Sequence, residues 1–225
     1  MALLPAANYF HLKWDVPFAE TLCSGKTGET LHFPADSSLA AIDQNMAPLE
    51  TLALQMAWND DGLGLAITSS SSASLPVYQQ QALTESDYFD LYFDLRNSKG
   101  NHRANQFCQC FRVIPHQSTS QRKPKNGKLK PAVETVEVSR ATKLPPTPAV
   151  QKILLNSVLT ENGYRTEIWF PSETLNGYSP TDQPEIGFHL FHQNSQLGTL
   201  TLAADPSMPF DSDPSLWHVL KLIKR

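Results

Sequence analysis

The chain has 225 residues, 40% of them hydrophobic, enough to bury one sizeable core. A formal charge of −4 excludes bulk attraction to nucleic acid or to an anionic membrane. No apolar run approaches the ~18 residues that span a bilayer, and three cysteines, Cys23, Cys108 and Cys110, do not make a disulfide framework.

From the N-terminus, Met1–Pro5 carries no basic, long apolar leader, so the expected compartment is the cytoplasm. Phe10, Leu12 and Trp14 then alternate with polar residues, as a half-buried strand does. Ser24-Gly25-Lys26-Thr27 has the ending of a phosphate-binding loop, but Glu20 stands where that motif needs its first glycine. A short helical turn is expected over Ser38–Ile42. Leu52–Trp58 and Leu63–Ile67 alternate on either side of Asn59-Asp60-Asp61-Gly62, a strong hairpin signal. Thr68–Ser74 is a serine-rich loop.

The block Asp87–Asp94 places Phe89, Leu91, Phe93 and Leu95 on one face of a strand and Asp90, Tyr92 and Asp94 on the other. That second face reads as solvated; a polar ligand or a cation is the alternative. A turn at Arg96–Gly100 leads into a strand over Asn105–Ile114, where Cys108 and Cys110 share a side. Residues 115–150 form a basic, proline-rich insertion whose front half and Leu144–Pro148 end read as mobile, with a strand at Val133–Val138. It lacks the ring-stacking residues that a nucleic-acid contact would need.

Strands follow at Ile153–Leu159 and Tyr164–Phe170, joined through Asn162-Gly163, then at Ile186–Phe191, Leu197–Ala203 and Trp217–Ile223, with a helical turn after Pro171. Many short strands with few helices predict an all-β fold, an antiparallel β-sandwich of jelly-roll or immunoglobulin-like layers, as one domain over 1–225. Trp14, Trp58 and Trp169 are expected to pack in the interior.

Catalytic signals are weak. Cys108, Cys110 and His102 lack the paired spacing of a zinc site, so no metal is expected and both thiols read as buried. His189 and His192, three apart, face opposite sides of a strand. Asp90, Asp94 and Glu167 supply carboxylates, but no spacing singles out a hydrolase pair.

Several segments, in order, resemble the family 9 carbohydrate-binding modules within the DOMON-like group of β-sandwiches: Trp58–Leu63, Asp87–Asp94, Phe111–Val113, Gly163–Pro171, Ile186–Phe188 and Asp213–Ser215 with Leu220–Leu222. His102–Cys108 and Pro209–Trp217 resemble a bacterial subgroup of that fold more closely. The resemblance implies a non-catalytic module that grips a sugar between two rings. The chain departs from it where Thr84 and Asp211 stand at the two tryptophan places, leaving Tyr78 and Phe210 as the nearest rings. The basic run Asn101–Asn105 replaces the acids that hold calcium, and no Met–His spacing supports haem, so no cofactor is expected.

The leading expectation is therefore a non-catalytic sandwich that binds a carbohydrate or similar polar ligand. Tyr78, Phe210 and Trp217 would stack, and Asp94, His102, Arg103 and Gln106 would hydrogen-bond. A structural or partner-binding domain, using the basic insertion on an acidic protein, is the alternative. A hydrolase built from Asp90, Asp94, His102 or Glu167 is the third reading.

Overall fold

The computed structural model describes residues 11–25, 29–70, 74–117 and 123–224. Met1–Pro5, Phe10, Lys26, Thr27, the middle of the serine-rich loop (71–73) and Arg122 lie outside the described residues. The strands are β1 (Lys13–Pro17), β2 (Ser38–Leu39), β3 (Leu52–Asn59), β4 (Gly62–Ser69), β5 (Tyr88–Asp94), β6 (Cys108–Ile114), β7 (Ala132–Val136), β8 (Leu154–Thr160), β9 (Gly163–Pro171), β10 (Glu185–Asn194), β11 (Gly198–Thr201) and β12 (His218–Ile223). Helical structure among the described residues is confined to single turns such as Ser172–Thr174, directly after Pro171. Among the described residues no helix is long and apolar enough to cross a membrane.

The two turn signals close hairpins as their chemistry requires. Asn59 pairs with Gly62 across Asp60-Asp61, joining β3 to β4, and Thr160 pairs with Gly163 across Glu161-Asn162, joining β8 to β9. Strands β4 and β9 then pair along their whole length, giving a five-stranded sheet in the order β2-β3-β4-β9-β8. The other sheet has seven strands in the order β1-β12-β10-β5-β6-β7, with β11 beside β10. All its pairings are antiparallel except β1 with β12, where the two ends of the described chain run side by side.

The sheets meet through their period-two apolar faces. Phe89, Leu91 and Phe93 of β5 and Phe111 of β6 point at the five-stranded sheet, where Phe170 of β9 lies 5.4 Å from Phe93 and 5.1 Å from Phe111, centroid to centroid. Each such fully buried ring is worth roughly 1.5–3 kcal/mol relative to exposure. Trp58 and Trp169 are buried as expected, and Trp14 packs edge-on against His218.

Three expectations are corrected. The outer face of β5 is not solvated: all seven residues of the strand are buried. Tyr92, Cys108, Cys110, Val138, Phe210 and Trp217 form a second apolar cluster there, under chain that returns over the sheet. Ser38–Leu39 is a strand rather than a helical turn, because the edge of β3 offers paired backbone groups opposite Gln55 and Leu54. The described front of the basic insertion is also tied down rather than loose: Leu129 and Leu159 amides donate to Ser157 and Gly127 carbonyls at 2.8 Å, and Leu129 is buried in the core.

Candidate functional site

The outer face of the seven-stranded sheet carries the polar chemistry. Register sets Asp90 of β5 directly opposite Arg112 of β6, and Phe191 of β10 on its other side. Arg112 donates from Nε to Asp90 Oδ1 at 2.8 Å and from Nη2 to Oδ2 at 2.7 Å, a two-pronged pair in which both side chains are largely buried. The guanidinium lies over the Tyr88 ring, 4.3 Å from its centroid. Burial pushes the Asp90 carboxyl up even against the pull of Arg112. Burial likewise works against the guanidinium charge, yet the hydrogen bond and charge of Asp90 hold Arg112 above its ordinary value. The two shifts point opposite ways for the pair's worth. The geometry shows the pair formed, and the Asp90 shift shows that removing it from water offsets much of the attraction.

Beside this pair the sheet and the returning segment around 206–211 enclose a cavity of about 480 Å³. Tyr88, Tyr92, Phe191 and Phe210 supply its rings, and Asp90, Arg112, Glu137 and Asp211 its charged groups. Two other hollows are comparable in size. One of about 340 Å³ lies between Cys108–Cys110 and the Leu144–Pro148 segment, and one of about 410 Å³ lies along the β2–β3 edge. Neither has an aromatic wall. A hollow beside Glu167 and Trp169 holds only about 10 Å³. Rings together with convergent hydrogen-bonding groups make the first cavity the candidate ligand site.

The expected site residues separate into two groups. Phe210 lines the cavity, and Tyr78 stands at its margin, edge-on to Tyr88, with its hydroxyl 3.2 Å from Glu134 Oε1. Phe210 is not a free platform, however, since only 5% of its surface is exposed. Trp217 has no exposed surface at all: it packs on Tyr92, and its Nε1 donates to the Phe210 carbonyl at 2.7 Å. It therefore has no face left for a sugar. Asp94 is also buried, its oxygens accepting from the Arg96 and Ser98 amides that close the turn after β5. Arg103 donates to the Arg140 carbonyl, and the Gln106 carbonyl accepts from the Asn176 amide group at 2.6 Å. These residues hold loops in place, and none of them lines the cavity. Thr84, at the first tryptophan place, sits exposed on the short turn Leu83–Glu85.

Arg112, Tyr88 and Phe191 were not singled out for the site in the sequence. The available signal was one arginine in the otherwise apolar run Cys110–Ile114, at a parity that only the β5–β6 register aligns with Asp90.

His102, Asp213 and Ser215 come together but do not form a catalytic triad. Nδ1 of His102 is the atom near both Asp213 Oδ2 (3.1 Å) and the Ser215 hydroxyl (3.0 Å). A triad needs the acid and the nucleophile on opposite ring nitrogens. The Ser215 hydroxyl and amide both turn to Asp213 Oδ1, which caps the short turn Pro214–Leu216. Glu167 belongs to the other sheet, where it accepts from Arg165 and from the Leu31 amide. Burial pushes the Cys108 thiol up to about 12 and Cys110 well above its usual value, so neither is a ready thiolate. No group of three metal-binding side chains occurs among the described residues.

No family model matches the sequence, and no curated protein matches it. Solved structures do match the fold. A family 9 carbohydrate binding module from Caldicellulosiruptor kristjanssonii in complex with cellotriose aligns over 95% of each chain, with a TM-score of 0.62 and 13% identity. A structure from the same organism, of a family 9 module in complex with glucose, aligns over 95% of this chain and 97% of its own, with a TM-score of 0.62 and 12% identity. A protein from Bacteroides uniformis ATCC 8492 aligns over 95% and 100%, with a TM-score of 0.55 and 10% identity. The fold is thus a β-sandwich like that of the carbohydrate-binding modules.

Proposed function

We propose that the protein is a non-catalytic binding module whose ligand, a carbohydrate or similar polar molecule, occupies the cavity on the outer face of the seven-stranded sheet. The observation that carries this is the meeting of aromatic rings with the Asp90–Arg112 pair in one concavity of about 480 Å³. Sugars present C–H faces to rings and hydroxyls to planar polar groups, so this combination suits them. The similarity in fold to sugar-bound modules supports the same reading. A non-catalytic role is supported by the engagement of each candidate acid. Asp90 is paired, Asp94 is capped, and Glu167 is held in the opposite sheet.

Calorimetric titration against a panel of soluble mono- and oligosaccharides tests the proposal, with Ser139→Trp as control. Ser139 is exposed and lines the cavity, so the added indole fills the space without disturbing the core. Saturable binding that disappears in Ser139→Trp, with unchanged unfolding temperature of the free protein, is expected. Binding that survives the substitution places the site elsewhere, and no binding across the panel removes the reading.

A further inference from the structure

The free charge of the cavity is of one sign. Arg112 is the basic group in its lining, and both of its hydrogen-bonding edges toward Asp90 are occupied. Glu137 and Asp211 also line the cavity, and both are exposed to solvent. Glu134 stands just outside it, bonded to the Tyr78 hydroxyl. Arg140, next in the chain to the lining residue Ser139, does not contribute to the lining. With Asp90 and Arg112 cancelling, the lining carries the charge of two carboxylates and faces aromatic rings.

Burial first, and then Cys110, Asp90 and Asp211, push the Tyr92 phenol up, so Asp211 reaches Tyr92 from the returning segment while Asp90 reaches it from the sheet. Burial and then Asp90 push up the Tyr88 phenol, and Arg112 works against them. Carboxylates that share a concavity with aromatic rings attract an ammonium group by Coulomb and cation–π forces together. The same arrangement repels a carboxylate or sulfate.

We infer that the cavity is selective for a sugar bearing a free amino group, with the ammonium held between Glu137 and Asp211 and the ring lying along Phe191 and Phe210. This rests on the carbohydrate reading above and narrows it to a ligand class.

The test is a set of titrations with methyl glycosides of glucosamine, glucose and glucuronic acid at pH about 6.5, where an amine is charged. The glucosamine derivative is expected to bind at least about tenfold more tightly than the neutral sugar, which corresponds to about 1.4 kcal/mol. The glucuronate should bind least. The preference should shrink as salt rises, because both acids are exposed. The variant Glu137→Gln/Asp211→Asn should bring the glucosamine and glucose affinities together. Equal or tighter binding of glucose by the native protein overturns the inference and leaves the carbohydrate reading standing. An amine preference that persists in the double variant also overturns it. Failure of all three sugars to bind overturns the inference, while the carbohydrate reading falls only if the wider panel fails as well.

Discussion

The Phe210 ring covers the imidazole of His189, centroid to centroid 4.3 Å, and neither ring nitrogen of His189 has a protein partner. One aromatic side chain thus serves both as wall of the candidate ligand cavity and as cover of a buried polar group.

Truncating that cover affects stability as well as binding. Phe210→Ala is expected to cost about 3 kcal/mol, in the range for a buried ring, by opening a void over His189 and Tyr92. Trp217→Phe should cost about 2 kcal/mol, through lost volume and the lost hydrogen bond to the Phe210 carbonyl. Urea unfolding measures both. A Phe210→Ala protein of native stability would show that the ring is a free platform after all.

Acid should destabilise the fold through its buried histidines. Burial pushes His192 down to about 3 and His218 to about 4, and holds His189 well below its ordinary value, with His218 as a second cause. Their folded values lie below the unfolded value of about 6.5, so the unfolded chain binds protons first as pH falls. Their stabilising contribution is complete above about pH 6.5 and is lost below it, at about 1.4 kcal/mol per unit for each histidine. Asp87 and Asp90, raised chiefly by burial, act in the opposite sense, because protonation relieves their buried charge. Lys99, lowered to about 8 by burial, titrates above this window. Unfolding midpoints between pH 7 and 5 should fall steadily, and His189→Phe should lessen the slope. An identical slope in that variant would mean that His189 is already protonated or exposed.

Breaking the Asp90–Arg112 pair on one side should be worse than removing it whole. Arg112→Met leaves a buried carboxylate unpaired and should cost about 3 kcal/mol at neutral pH, while Arg112→Met with Asp90→Leu should recover most of it. The single variant should regain stability on mild acidification as Asp90 takes up a proton. Equal losses in the single and double variants would show that packing, rather than charge, sets the role of these side chains.

Two glycines fix how closely β4 and β9 approach. A Cβ on Gly62 would fall 2.2 Å from the Phe170 carbonyl oxygen, and one on Gly163 would fall 1.9 Å from that of Ser69. These oxygens belong to paired strands and cannot step aside as a flexible side chain does. Gly62→Ala and Gly163→Ala should each destabilise by about 3 kcal/mol, at the upper end for overpacking. Gly100, which has open space around it, should accept alanine with little change in the same urea assay.

The sequence by itself determined the strands other than β2, and both hairpins. Alternation at period two is a local property, and turn residues such as Asn59–Gly62 and Asn162-Gly163 act on their neighbours. It likewise separated His189 from His192 across the sheet and placed Cys108 and Cys110 on one side. The tertiary structure alone decided the face of β5 that carries the site. Alternation sorts residues onto two faces but does not say what covers the second, and here Val138, Phe210 and Trp217 return from far along the chain to bury Tyr92. For the same reason Trp217 and Asp94 look like ligand contacts in the sequence and are buried in the structure, while Arg112 joins the candidate site only through its register with Asp90. Side-chain chemistry is written locally. Exposure and pairing depend on contacts between distant segments, and those are made only when the two sheets and their covering chain have assembled.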